Sequence, residues 1–525
     1  MGPGFPLPAY PAAAGCKTSA EVRYVSGLIL FSPIAPKEIL EREFFMEKIF
    51  KLRENGTTVR TEIVAGLTTF MTMAYIIALN PNLIVGFGQG AAGGFGADGV
   101  AAWNGVFLAT CLASAIAMFC MAFLANKPFA LAPGMGLNSY FAVVIAQIAG
   151  AAGCSYLAGL QAGLCIILIE GVIFVVLSVL NVREKLVDAI PLGVRLGIGP
   201  AIGLMLMNIG FGSNAGVGAA NENYVMRDFF GALAASTAKD ALGDYWPAMV
   251  LTVVTMFIGL FAIIILAHYN IKGAVLFGML IASVINWAGQ AIFLGQNPFA
   301  SLADASWLPP FGDMAATTLV KFDFTTLFSL GWSTVIILII TFCIIDMFDT
   351  IGTVLATANR AKMVDGNGRM PQMRETLLSD AVGTIVGACT GTSTVTTFVE
   401  SASGVEAGGR TGLTALTCGV LFLACIFIAP IAAIIPAAAT SAALIYVGIL
   451  MLSGLKSISF DDIATAAPVF IMLLAMPVSG SIGHGIGLAL VTYTVIKLFT
   501  GRAKDVSVLT FVISALFLVK FFLAI

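Results

Sequence analysis

Uninterrupted apolar runs of roughly twenty residues recur from Thr61 to the C-terminus, and the polar residues gather between them. At about 1.5 Å of rise per residue, each run makes a helix long enough to cross roughly 30 Å of hydrocarbon. A soluble domain needs about 25% charged residues to cover its surface. This chain of 525 residues has 10% charged against 59% hydrophobic. A membrane barrel would show strands of about ten alternating residues, and runs such as Trp246 to Leu266 or Thr334 to Ile345 do not alternate. The expected fold is an all-α polytopic membrane protein.

About fourteen spans are expected, at 62–84, 103–125, 129–150, 157–180, 187–211, 247–267, 272–294, 333–357, 376–391, 392–408, 411–434, 437–454, 463–498 and 506–524. The thirteenth is too long for one straight helix and is punctuated by Pro477, Ser479 and Gly480, so it reads as a broken helix. Residues 1–45 stand apart. They are Pro-rich, then charged, and read as an N-terminal extension, either a disordered tail or the product of a mis-set start, because Met46 opens a basic lead (Lys48, Lys51, Arg53) into the first span.

Lys and Arg of the short loops collect on one side: the Met46 lead, Lys127, Arg183, Lys185, Lys272, Arg360, Lys362, Arg369, Arg374, Arg410 and Lys456. That side is expected to be cytoplasmic, with the N-terminus, in a multi-pass protein of the cell membrane. Arg502 and Lys504 break the pattern, so either the last two spans are miscounted or the charge bias is overruled there.

Several classes drop out. The nine cysteines are scattered without a CxxC pair, which fits small hydrophobes and neither a disulfide framework nor a metal site. A net charge of −2 offers no basic stripe for nucleic acid. No phosphate-binding GxxxxGK[ST] loop and no HExxH occurs. No cofactor, metal or enzymatic activity is expected.

Lipid-exposed backbone cannot be irregular, so breaks inside apolar runs must line a cavity or another helix. Two breaks stand out: Phe129 to Tyr140, with Pro133, Gly134 and Gly136, and Gly391 to Gly404, which begins β-branched and polar. Short extended stretches are therefore expected at the heads of spans three and ten. These spans hold the same place in two halves of seven. An odd number of spans per repeat inverts the second copy, so the breaks can meet near the midplane.

A carboxylate at mid-membrane costs about 2.5–3.5 kcal/mol on insertion scales and seldom faces lipid. Asp346 and Asp349 lie three apart on the eighth span and share a face; Glu400 follows the polar run of the tenth; Glu170 stands alone in the fourth. Each can instead glue helices through hydrogen bonds. That alternative weighs most for Glu170 and least for Asp349 and Glu400, which adjoin Gly and Thr. Burial favours the protonated form of a carboxyl, which is what proton coupling requires. Asn138 presents amide donors and an acceptor suited to the edge of a heterocycle, and Phe398 a face for a planar solute, with plain packing the alternative for both.

Three motifs, Ala132 to Asn138 (APGMGLN), Asp346 to Thr353 (DMFDTIGT) and Gly391 to Val405 (GTSTVTTFVESASGV), resemble the AzgA-like purine permeases of the nucleobase:cation symporter superfamily. The resemblance runs from Thr57 essentially to the C-terminus. It implies a seven-plus-seven inverted repeat with core segments 46–180 and 333–435, gate segments 181–300 and 436–525, and an external loop at 301–332. It also implies that Glu400 and an eighth-span acid accept hydrogen bonds from purine N–H groups. Asp349 matches that acid by its place before Thr350-Ile-Gly-Thr353, Asp346 being the alternative, and Asn138 matches a third-span contact.

The expected activity is proton-coupled uptake of hypoxanthine, guanine or adenine. The substrate set is Glu400, Asp349, Asn138, Phe398 and Thr397, and the proton candidates are Asp349, Glu400 and Asp346. The expected partners are the purine, protons and the bilayer, with a homodimer left open. An anion transporter of the sulfate or bicarbonate type shares the fold, but acids beside the half-helix ends disfavour it. A membrane-embedded enzyme would need a nucleophile or metal cluster that the sequence lacks.

Overall fold

The computed structural model describes residues 46–90, 98–180, 191–214, 246–303, 306–361, 363, 370–458, 461–479 and 482–523. The N-terminal extension expected at 1–45, and Arg183, Lys185, Lys362, Arg369 and Gly480, lie outside them. Ten helices among the described residues are long and apolar enough to cross a membrane, and shorter apolar helices accompany them.

The first half runs α1 (Val59–Met73), α2 (Ile76–Gly90), α3 (Gly99–Cys120), β1 (Leu131–Pro133), α4 (Met135–Ala152), α5 (Tyr156–Val179), α6 (Leu192–Ile209), α7 (Trp246–His268) and α8 (Ala274–Phe293). Two short helices, α9 (Phe311–Thr317) and α10 (Phe324–Ser329), lie in the segment read as a loop. The second half follows as α11 (Trp332–Arg360), α12 (Met373–Thr390), β2 (Val395–Thr397), α13 (Ser401–Glu406), α14 (Gly412–Ala424), α15 (Ala437–Met451), α16 (Ile463–Ser479) and α17 (Ile482–Phe499), and α18 (Val508–Leu523) closes the chain.

The packing repeats between halves. Helix α5 packs on α12 as α14 packs on α3, and α7 packs on both α8 and α15 as α16 packs on both α17 and α6. Helices α3 with α12, and α6 with α15, meet across the relation between the copies.

The range 463–498 departs from the single broken span expected there. Helices α16 and α17 lie side by side as an antiparallel hairpin, with Gly485 against Met476 near the turn and Arg502 Nη1 3.4 Å from Asp462 Oδ2 at the open end. A kink and a reversal use the same residue types, since Pro477 and Ser479 end a helix either way. The hairpin supplies the last two spans of the second half, and α18 is an addition outside the repeat.

One buried carboxylate fixes the ends of several elements at once. Glu62 in α1 is fully buried and accepts from the backbone N–H groups of Arg410 (2.8 Å), Thr411 and Thr414 (both 3.2 Å) and from the Thr414 hydroxyl (2.6 Å). Orphan donors at the start of α14 are thereby satisfied where water is scarce. The Arg410 side chain donates to Val405 O at 2.7 Å, which ties the end of α13 into the same junction.

Candidate functional site

The two breaks expected from sequence meet. Strands β1 and β2 pair antiparallel with Leu131 opposite Thr397, Ala132 opposite Thr396 and Pro133 opposite Val395. Gly134 N–H donates to Thr394 O at 3.1 Å and Phe398 N–H to Ala130 O at 2.9 Å, so each interrupted span satisfies the other's backbone. A Cβ at Gly134 would stand 2.6 Å from Thr396 Oγ1 and 3.4 Å from Asp349 Oδ2, so only glycine lets the strand and the eighth span close on this point.

Ahead of β2, three consecutive hydroxyls are assigned to three different spans. Thr392 Oγ1 accepts from Asn80 Nδ2 of α2 at 2.8 Å, Ser393 Oγ donates to Asn138 Oδ1 of α4, and Thr394 Oγ1 donates to Glu170 Oε2 of α5 at 2.8 Å. Glu170 therefore holds the strand that bears the site, which is the helix-gluing role. Asn138 is fully buried and its amide also donates to Pro133 O at 3.2 Å, so its polar groups serve the strand pair.

The remaining candidates surround that pair. Asp349 lies beside Gly134 and within Coulombic reach of Asp380 and Glu400. Asp349 and Glu400 both keep accessible surface, whereas Phe398 and Thr397 are buried. Thr397 Oγ1 has no hydrogen-bond partner among the described residues. Glu400 Oε1 accepts from Tyr75 OH of span one at 2.7 Å.

Asp346 turns the other way, toward α12. Thr350 Oγ1 lies 3.1 Å from Asp346 Oδ1 and 2.9 Å from Asp380 Oδ1, and both acids are fully buried. A hydroxyl has one proton to donate. It can therefore be donated to only one of the two acids at a time, so Thr350 links Asp346 of α11 to Asp380 of α12. Sequence reasoning missed Asp380, which sits in the polar first turns of α12 and reads there as an interfacial acid. It also missed Tyr75, because nothing in an apolar run announces a partner 325 residues away.

Near the crossed strands, α4 meets helices of both halves. Gly136 packs on Ile202 of α6, and the Tyr140 ring lies 4.8 Å from that of Phe342 and beside Gly483 of α17. Two interrupted spans meeting inside an inverted repeat, with acids facing the crossing, define a polytopic membrane transporter.

Residues 60–489 match the profile of the xanthine/uracil permease family, described as a permease family, and the chain belongs to it. It is 36% identical over 475 residues to the adenine permease AdeP of Escherichia coli K12, covering 90% of this chain and 95% of that one. It is 34% identical over 479 residues to the guanine/hypoxanthine permease PbuO of Bacillus subtilis 168, covering 90% and 100%. The structure of the murine Slc26a9 anion transporter in the inward-facing state is similar at a TM-score of 0.58 and 11% identity, covering 91% of this chain and 77% of that one. That likeness shows the fold, a seven-plus-seven inverted repeat. The chain is a multi-pass membrane permease and not an enzyme.

Proposed function

We propose that this permease takes up a purine nucleobase, adenine, guanine or hypoxanthine, together with a proton. The observation that carries the reading is the placing of two acids with accessible surface, Glu400 and Asp349, at the crossing of β1 and β2. A purine edge offers N–H donors, and a carboxylate offers only acceptors while ionised. Thr397 supplies a hydroxyl without a protein partner among the described residues, Phe398 an aromatic wall, and Asn138 the support of the third span. The identity to adenine and guanine/hypoxanthine permeases supports the same substrate class.

The proton is assigned to the cluster of Asp346, Thr350 and Asp380, with Asp349 and Glu400 within electrostatic reach of one another beside it. Helices α1–α5 and α11–α14 form the core and α6–α8 with α15–α18 the gate. Transport moves one against the other across the contacts of Gly136 with Ile202 and of Tyr140 with Gly483. The hairpin returns Arg502 to the side of Asp462, which brings it and Lys504 into line with the other basic loops and favours a cytoplasmic N-terminus. The outer face of α8, with Leu280, Ile281 and Val284 exposed, is left for lipid or a second copy in a homodimer. An anion-transporter reading has the fold in its favour and the two acids against it.

The test is uptake of radiolabelled adenine, guanine and hypoxanthine at several pH values in a permease-deficient cell. Glu400→Gln and Asp349→Asn should abolish it, and Asp380→Asn should leave purine binding but remove pH-driven accumulation. Absence of uptake by well-expressed parent protein overturns the purine reading. Unchanged uptake by the Glu400 and Asp349 variants overturns the site.

A further inference from the structure

We infer that Tyr75 is the positioning residue for Glu400, its hydroxyl occupying one carboxyl oxygen so that the other is turned to the substrate as an acceptor. This deepens the purine reading and rests on it. Tyr75 stands at the step between α1 and α2, where span one departs from a single straight helix. Its side chain is 1% exposed, while Glu400 keeps accessible surface.

The 2.7 Å contact has one direction. A phenol titrates near 10 and stays protonated through the physiological range, so Tyr75 donates and the carboxylate accepts. Bonds of this kind, to an ionised acceptor, are short and about twice as strong as neutral ones. Oε1 is thereby committed. Oε2 is not held by Tyr75, which leaves it for a substrate N–H.

Two consequences follow from the same bond. The orientation of Glu400 is fixed before substrate arrives, so less ordering accompanies binding. Relative to a Glu400 that lacks it, the bond favours the carboxylate over the carboxylic acid. Loss of the donor therefore lets Glu400 take up a proton at a higher pH, and binding that needs a carboxylate acceptor fails at a higher pH too.

Equilibrium binding of radiolabelled adenine and hypoxanthine to the purified full-length protein, measured from mildly acid to mildly alkaline pH, tests this without the driving force of a proton gradient. Tyr75→Phe should weaken binding about tenfold at neutral pH and move the acid limb of the profile upward by about one pH unit. Replacement of Tyr75 by 3-fluorotyrosine, a stronger donor of the same shape, should move that limb downward. A merely structural role would weaken binding equally at every pH and leave the limb in place. If the parent binds purine and neither replacement moves the limb, the role of Tyr75 is refuted while the purine reading stands; the fluorotyrosine protein alone decides if Tyr75→Phe does not fold. A parent that binds no purine refutes the purine reading instead.

Discussion

Arg502 Nη1 reaches Asp462 Oδ2 at 3.4 Å across 40 residues of chain, closing the open end of the α16–α17 hairpin. Asp505 joins the same junction, accepting from Lys497 Nζ at 3.3 Å and Arg502 Nε at 3.0 Å. Both ends of the hairpin therefore share one side of the membrane. Single cysteines replacing Asp461 and Lys504, in a background freed of native cysteines, should react with an impermeant maleimide from the same side. Labelling from opposite sides would contradict the hairpin.

This junction sets a pH response with a definite sign. The backbone N–H of Ala464, helped by Arg502, holds the Asp462 carboxyl below its usual range, and the hydrogen bond from Lys497, then that from Arg502, does the same for Asp505. A carboxyl lowered on folding stabilises the fold fully above its ordinary value and loses that contribution as pH falls through the lowered one. Hydrogen exchange at the start of α16 should be level between pH 5 and 8 once corrected for intrinsic rates, and protection should fall below about pH 4. Asp462→Asn should flatten that response.

Glu62 should behave as a structural acid. Its four hydrogen bonds include three from backbone N–H groups near the start of α14. Glu62→Ala would strand those donors in a dry junction and destabilise the protein by about 2–4 kcal/mol, read as a lowered Tm in detergent. Glu62→Gln keeps one acceptor oxygen and should lose less. A Tm unchanged in Glu62→Ala would remove Glu62 from this role.

Gly134→Ala places a methyl group 2.6 Å from Thr396 Oγ1 and 3.4 Å from Asp349 Oδ2. Uptake should fall at least tenfold with the protein still folded, because the strand pair must shift by a few tenths of an ångström where positioning matters most. Thr396→Ala in the same chain removes the nearest atom and should restore part of the activity. Equal loss in the single and double variants would show that the crowding lies elsewhere.

The sequence exposes its spans and its two breaks for one reason: both are statements about solvent. Apolar length reports hydrocarbon thickness, and Pro133 or the run from Thr392 to Thr397 reports backbone that cannot be left to lipid. The hairpin at 463–499 was not legible from hydropathy, since a turn between two spans and a kink within one look alike there. The basic pair Arg502 and Lys504 was the trace it left. Side-chain direction was hidden as well. Asp346 and Asp349 share a helix face by spacing, yet one shares the Thr350 hydroxyl with Asp380 and the other lies beside Gly134. Helical spacing confines residues to a sector, and the neighbours decide where within it each carboxyl points.

Thr392, Ser393 and Thr394 look interchangeable in composition, but each addresses a different helix. Inserting or deleting one residue there would hand every hydroxyl to the wrong neighbour while leaving the tract chemically the same. Natural variants should therefore exchange serine and threonine within this stretch far more readily than they change its length.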